Sequence, residues 1–325
     1  MIDFIEENNL ILAPGAAPLV AILMGTMNGA RFLPEQLDSL QAQTHQKWVL
    51  IASDDGSTDD TLRILKAYQA KWPAGKLIIK EGPKQGFCVN FQSMACDPSI
   101  KADYYAFCDQ DDVWLPSKLE VAVANIAAHQ VHKGVTLPYL YCGRTSYVSE
   151  KLEQIGISPL FVFPAKFRNA MVQSIAGGNT MVFNQETKLA LEKVGMVDVP
   201  SHDWWLYLLV SGIGGEVYYD KVSQILYRQH DDSIVGENRS FTSKCFRVYT
   251  LLRGRFRNWN TKNIEALCIV NGMLTEDNQE ILRLFKLLRS AKLIDRFRLM
   301  EVCGLYRQTW RGTMTLYLAA LLKKI

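Results

Sequence analysis

An α/β fold with a mostly parallel, doubly wound sheet is what this chain of 325 residues predicts, and three observations carry it. Four short apolar runs, "LVAILM", "KWVLIAS", "KLIIKEG" and "DYYAFCD", are each followed by apolar residues at helical spacing. Segments rich in Gly and Asp, "GTMNG", "SDDGSTDD" and "CDQDD", stand directly behind three of those runs. Strands that alternate with helices build βα units on a parallel sheet. Ligands of such sheets bind at the carboxyl ends of the strands, which is where the Gly- and Asp-rich segments fall.

Residues 1–17 read as a leader, and "LVAILM" as the first buried strand, closed by "GTMNG". The helix after it has Pro34 in its first turn and Leu33, Leu37 and Leu40 on one face. "KWVLIAS" is the second strand. Behind it Ser57 and Asp60 have the spacing of a capping box, and Leu62, Leu65, Tyr68 and Trp72 recur at near-helical intervals. "KLIIKEG" is the third strand, followed by a helix after Gly86 around Asn90, Phe91 and Met94. "DYYAFCD" is the fourth, followed by a helix from Ser117 to His129. Beyond residue 135 the alternation weakens: "YLYCGRTSYVS" reads as a strand, "AGGNTMVFN" as a loop and strand, and "EVYYDKVSQILYRQH" as one or two strands. From Ser240 the pattern is helical and basic, which divides the chain into residues 18–238 and a helical extension, 239–325.

With 48% hydrophobic and 21% charged residues the chain has the composition of a globular protein with a sizeable core. The net charge of +3 is unevenly spread. From Arg239 onward 17 Lys and Arg face 6 Asp and Glu, or +11, whereas the residues before it carry 19 against 27, or −8. An acidic body with a basic tail implies two regions with different neighbours. The seven cysteines are scattered and lack C-x-x-C spacing, which argues against zinc and a disulfide framework and fits a reducing cytosol. The acidic start "MIDFIEENNL" is no secretory signal. No apolar run approaches the roughly 20 residues that cross a bilayer; "TMTLYLAALL" is about half that.

Three carboxylates stand within four positions at "DQDD". In extended chain the side chains of Asp109 and Asp111 point the same way and that of Asp112 the other. Two convergent carboxylates would force one to stay protonated, unless a cation such as Mg2+, which takes one or two carboxylates and substrate phosphates, lies between them. The bland reading is an acidic turn with a helix cap. The spacing D-x-D-x-V also resembles the haloacid-dehalogenase phosphatase motif, but that motif ends the first strand and here three strands precede it. Asp54, just past the second strand, is placed to accept hydrogen bonds from a base or a ribose hydroxyl.

"MGTMNGARFLPEQLDSLQAQT", "SDDGSTDDT", "GFCVNF", "CDQDDVW", "GGNTMVFN", "HDWW" and "YRQHDDSIVG" follow one another in an order and at spacings that resemble family 2 glycosyltransferases. Within that family the likeness is greatest to the rhamnosyltransferase-type branch of bacterial surface polysaccharide synthesis, which includes O-antigen and other cell-envelope polymers. The resemblance spans about residues 18–240. It implies a GT-A fold, a nucleotide-diphosphate sugar donor, Mg2+ or Mn2+, and inversion at the anomeric carbon. It puts Thr26, Asn28 and Arg31 at the nucleotide, Asp54 at the base or ribose with Asp55 beside it, and Asn90 at the donor. Asp109 and Asp111 become the D-x-D pair, Asp111 as the direct metal ligand, and Asp203 the general base. Met27 stands where relatives have a tyrosine.

Around these, His230 reads either as a third metal ligand or as a hydrogen-bonded structural residue, and His202 as structural. Arg228 could pair with a diphosphate oxygen. Gly178, Asn179 and Trp204 are expected at the acceptor or sugar, where the glycine lets backbone approach closely; the bland reading of 178–179 is a tight turn. Trp204 and Trp205 would dry the site at Asp203, or serve as core aromatics. In the tail, "KCFRVYTLLRGRFRNW" and "LFKLLRSAKLIDRFRLM" combine apolar residues at helical spacing with Arg and Lys. Such helices rest on an anionic membrane or cap the catalytic domain. Without a recognised binding motif they give no reason to expect nucleic acid.

The expectation is therefore an inverting, metal-dependent glycosyltransferase. dTDP-rhamnose is the favoured donor, with a UDP-sugar as its rival, and the acceptor is a saccharide or lipid-linked sugar. Its place is the cytoplasm, peripherally at the inner face of the plasma membrane. The reading from another class is an inactive glycosyltransferase-like binding subunit of a polysaccharide assembly complex.

Overall fold

The computed structural model describes residues 17–134, 136–229 and 255–325. Four βα units open the chain: β1 (Val20–Thr26) and α1 (Leu33–Gln41), β2 (Trp48–Asp54) and α2 (Thr61–Lys71), β3 (Leu77–Glu81) and α3 (Phe87–Ala95), and β4 (Tyr104–Cys108) with the short β5 (Val113–Trp114) before α4 (Lys118–Lys133). Then come β6 (Tyr139–Gly143), β7 (Ser146–Val148), β8 (Gln154–Ile157), α5 (Phe167–Ala170), β9 (Val182–Asn184), α6 (Gln185–Val194), α7 (His202–Gly212), β10 (Glu216–Asp220) and β11 (Ile225–Arg228). The remaining described helices are α8 (Arg255–Ile269), α9 (Glu276–Ser290), α10 (Leu293–Cys303) and α11 (Trp310–Leu321).

A seven-stranded sheet runs in the order β10-β6-β9-β4-β1-β2-β3. Its pairs are parallel except those of β9, which runs antiparallel to both β4 and β6. Val20 to Met24 of β1 are wholly buried, as the centre of a sheet covered on both faces requires. On one face Leu33, Leu37 and Leu40 of α1, Leu65 of α2 and Leu119 and Ile126 of α4 pack. On the other lie Phe91, Phe107 and Phe183 with α7, and the same core continues through Ile264, Ile281, Phe285, Leu288, Met300 and Leu316 of α8 to α11. The described C-terminal helices therefore complete the core of the seven-stranded sheet. A smaller sheet, β5-β11-β7-β8, stands beside the carboxyl ends of the first.

The four predicted strands and their helices form where periodicity put them, while the later part is richer than expected. "YLYCGRTSYVS" is two strands in different sheets, broken at Arg144 and Thr145. There the Arg144 Nε donates to the Ser158 carbonyl at 3.0 Å. The stretch 216–228 is likewise two strands in two sheets. Helix α7 gave no amphipathic signal because it is buried from Trp204 to Gly212, and a helix covered all round has no polar stripe. The Ser57/Asp60 capping box does not form: Asp60 makes no side-chain cap to α2, and Asp59 Oδ1 accepts the Thr61 amide at 3.0 Å instead.

Because the C-terminal helices share this core, Phe285→Ala in α9, a side chain with no exposure, should destabilise the whole fold by about 3–5 kcal/mol. Urea unfolding followed at the tryptophans of β5 and α7 checks this. An unchanged midpoint there would mean that the helices unfold independently.

Candidate active site

The loops beyond β1, β2 and β4 are sewn to one another by their polar side chains. Gln110 clasps the Met27 backbone, accepting from its amide and donating to its carbonyl, both at 2.9 Å. Asn28, in the left-handed region at φ 49°, donates its amide to Ser57 Oγ at 2.8 Å and accepts the Thr58 amide on its own Oδ1 at 2.8 Å. Asp54 Oδ1 accepts from Thr26 Oγ1 at 3.0 Å and Ser57 Oγ at 2.5 Å, and Oδ2 accepts the Ser57 amide at 2.9 Å. Asp55 holds the β3–α3 loop through the amides of Lys84 at 2.6 Å and Gly86 at 2.8 Å. Asn90 is buried and exchanges hydrogen bonds with Ser53: its Nδ2 donates to the carbonyl at 2.9 Å and its Oδ1 accepts from Oγ at 2.6 Å. Thr26, Asn28, Asp54, Asp55 and Asn90 thus gather at one rim and brace its loops.

Strand β4 ends at Cys108, so residues 109–112 leave the sheet as a bend. Asp112 is fully buried, and its Oδ2 accepts from Asn179 Nδ2 at 2.6 Å. Asp109 and Asp111 keep partial exposure. Burial pushes Asp109 up to about 7, and the charges of Asp111 and then Asp203 push it the same way, while Lys118 opposes them. Asp203 therefore stands within electrostatic reach of the D-x-D pair, although it comes from another helix far downstream.

One turn joins these acids. The Gly178 amide donates to Asp203 Oδ2 at 3.2 Å, and the next residue, Asn179, holds Asp112. A Cβ on Gly178 would come within 2.5 Å of His202 Nε2, so only glycine lets the turn approach α7 this closely. Asp203 lies in the first turn of α7, where helix dipole and amides favour the anion. Burial nevertheless raises it to about 6, against the hydrogen bonds of the Trp204 and Gly178 amides. That is the value of a group that is mostly ionised at neutral pH yet still basic enough to take a proton.

Other expected residues are placed differently. Trp204 is 5% exposed, donates its Nε1–H to the Ala170 carbonyl at 2.6 Å and stacks on Phe256, so it belongs to the core rather than to a sugar subsite. The buried Arg228 guanidinium pairs with Glu35 and donates to the carbonyls of Glu150 and Asp111, which corrects the expectation of a diphosphate partner: those contacts tie β11 to the D-x-D bend. Arg31 is exposed but paired with Glu150 through two bonds of 2.9 and 2.6 Å. His202 is structural, stacked on Phe91 with centroids 4.2 Å apart and held neutral by burial, which lowers it to about 3. His230 lies outside the described residues. Among those described, no three His, Cys, Asp or Glu side chains form a set able to hold a metal by themselves. Sequence reasoning missed Lys118: fully buried in the first turn of α4, its Nζ lies 3.4 Å from the Trp114 ring centroid and its charge bears on Asp109 and Asp112. Its place in "PSKLE" looks like an ordinary solvated helix start.

The raised Asp203 fixes a sign for stability. Its ordinary value is 3.8 and its folded value about 6, so folding favours the protonated form. The stability this provides is complete below the ordinary value and lost as pH rises through the folded one. With EDTA present, Asp203→Asn should raise the melting temperature at pH 8 and leave it nearly unchanged at pH 4. A lower melting temperature at pH 8 would contradict the burial that sets this carboxyl.

Similar proteins extend this picture. The profile of Glycosyl transferase family 2 matches residues 21–184, half of the chain. The "dTDP-rhamnosyl transferase RfbG" of Shigella flexneri is 29% identical over 254 residues, 75% of this chain and 84% of that protein. The "Putative glycosyltransferase EpsE" of Bacillus subtilis is 27% identical over 235 residues, covering 70% and 78%. Among solved structures, S. aureus TarS 1–349 in complex with UDP-GlcNAc superposes with a TM-score of 0.53 at 16% identity, over 89% of this chain and 92% of that one. GalNAc-T7 with UDP, GalNAc and Mn2+ gives a TM-score of 0.52 at 8% identity, over 91% and 56%. Both share the GT-A arrangement of a mixed sheet flanked by helices. With its carboxylate rim on that fold, the chain belongs to glycosyl transferase family 2 and is a glycosyltransferase.

Proposed function

We propose that the enzyme inverts configuration as it moves a sugar, rhamnose in the favoured case, from a nucleotide-diphosphate donor to a hydroxyl of a saccharide or lipid-linked acceptor. The single observation that supports this is that the charges of both Asp111 and Asp203 bear on Asp109. Support for the donor comes from the relative named as a dTDP-rhamnosyl transferase. A UDP-sugar, as held by TarS, is the rival.

Mg2+ or Mn2+ fits the donor set, because Asp109 and Asp111 are neighbouring carboxylates that offer hard oxygens at the rim, and the charge of Asp111 raises the cost of ionising Asp109. Bound there, such an ion would neutralise charge on the departing diphosphate. Asp203 takes the proton of the acceptor hydroxyl as its oxygen bonds to the anomeric carbon. The bond from that carbon to the diphosphate oxygen breaks, and its electron pair leaves with the nucleotide. Asn179 and Gly178 keep Asp203 and Asp112 in register throughout, and Gln110 keeps the first loop against the acids. Thr26, Asn28, Asp54, Asp55 and Asn90 hold the loops on which the nucleotide rests, through the bonds described above. We further infer a peripheral place at the cytoplasmic face of the membrane, supported by the basic tail and by the absence, among the described residues, of a helix long and apolar enough to cross a bilayer.

Asp203→Asn should lower turnover by about 10²- to 10⁴-fold, the usual worth of a general base, and leave nucleotide affinity unchanged. EDTA should abolish turnover and Mn2+ or Mg2+ restore it, with dTDP-rhamnose consumed faster than UDP-GlcNAc. Undiminished turnover in Asp203→Asn, or turnover that survives in EDTA, contradicts the mechanism. An absence of turnover with every donor, while nucleotide still binds, would favour the inactive binding subunit.

A further inference from the structure

The outward face of the last two helices is apolar. On α11 Trp310, Met314, Leu318 and Leu322 recur every fourth residue and are 65%, 63%, 56% and 50% exposed. On α10 Leu293, Ile294 and Phe297 are exposed by 58%, 75% and 48%. Phe297 lies against Tyr317 with ring centroids 6.5 Å apart, so the two stripes run side by side. Neither helix is free to roll inward. Met300 and Cys303 of α10 and Leu316, Ala319 and Ala320 of α11 already fill the core. The buried Arg296 guanidinium bolts the pair together, donating to the carbonyls of Ala291 at 2.8 Å and Leu321 at 2.8 Å.

Charge selects what covers this face. Residues 292–325 hold seven Lys and Arg against two acids, and Lys292, Arg298, Arg311 and Lys323 are exposed on the same two helices or at their ends. An apolar stripe with a tryptophan at one end and a cationic border matches the boundary between acyl chains and anionic headgroups. We propose that the α10/α11 face docks on an anionic lipid bilayer, with Trp310, Met314, Leu318 and Leu322 in the interface and Arg298, Arg311 and Lys323 against lipid phosphates. Both helices lie on the membrane, since neither is long enough to span it. The inference rests on the membrane-side reading above and names its contact surface. It moves that surface away from α9, where Ile281, Leu282, Phe285 and Leu288 are buried and Leu287 is the one large apolar side chain left exposed.

Flotation of the full chain with vesicles of phosphatidylcholine alone, or of phosphatidylcholine mixed with phosphatidylglycerol, tests the proposal. The wild type should float with the anionic vesicles only. The double variant Trp310→Ser/Leu318→Ser and the charge variant Arg311→Glu should each bind them about ten-fold more weakly. Both variants should keep the wild-type melting temperature and donor turnover, because the altered side chains are exposed and far from the acids in sequence. Wild-type protein that ignores anionic vesicles, or variants that float as well as wild type, would overturn it. So would a dimer in light scattering that Trp310→Ser dissolves, which would assign the face to a second copy. Flotation without any turnover would instead sink the transfer chemistry and leave the docking face standing.

Discussion

Like charges crowded at the rim of a buried sheet are the constraint around which the rest of this molecule is arranged. Asp109, Asp111 and Asp203 come from two distant parts of the chain, and the charges of Asp111 and Asp203 both raise the cost of ionising Asp109. The fold holds them together with hydrogen bonds to parts that cannot move apart. The Gly178–Asn179 turn grips Asp203 on one side and Asp112 on the other. Arg228 ties the same bend to α1 and to the second sheet. Lys118 is buried below with its Nζ over the Trp114 ring, and its charge opposes the rise at Asp109.

The scaffold explains why the site can carry that tension. Strand β1 is buried on both faces, and α7, which brings Asp203, is embedded between the sheet and the C-terminal helices. An acid on the first turn of a helix so enclosed has little freedom to swing away from its repulsive neighbours. The C-terminal helices thereby serve the chemistry from behind, although none of the acids belongs to them. Their outward faces remain available for another task.

Much of the fold was legible because it rests on local patterns. Continuous apolar runs closed by Gly and Asp marked β1, β2, β3 and β4, and Pro34 marked the start of α1. Motif order picked out Asp109, Asp111 and Asp203 as candidates, but the separation of Asp112 from its neighbours comes from the bend at 109–112 and not from the strand alternation expected there. What stayed hidden depends on tertiary placement. Nothing local says that Asp54 and Asp55 spend their oxygens on Thr26, Ser57 and two loop amides, or that Arg228 reaches Glu35. Helix α7 was invisible because burial on every side erases the periodicity that reveals a helix. Trp204 misled for a related reason: neighbours on a helix point about 100° apart, so the residue after Asp203 can face the core while Asp203 does not.

The central claim is that Asp109 and Asp111 hold one divalent cation together with a nucleotide diphosphate. Titration of Mn2+ followed by electron paramagnetic resonance, with dTDP present, addresses it directly. One Mn2+ per chain with magnetic coupling to phosphorus, lost in Asp111→Ala, is the predicted result. Equal Mn2+ uptake by wild type and Asp111→Ala, or a bound ion without phosphorus coupling, would contradict the account.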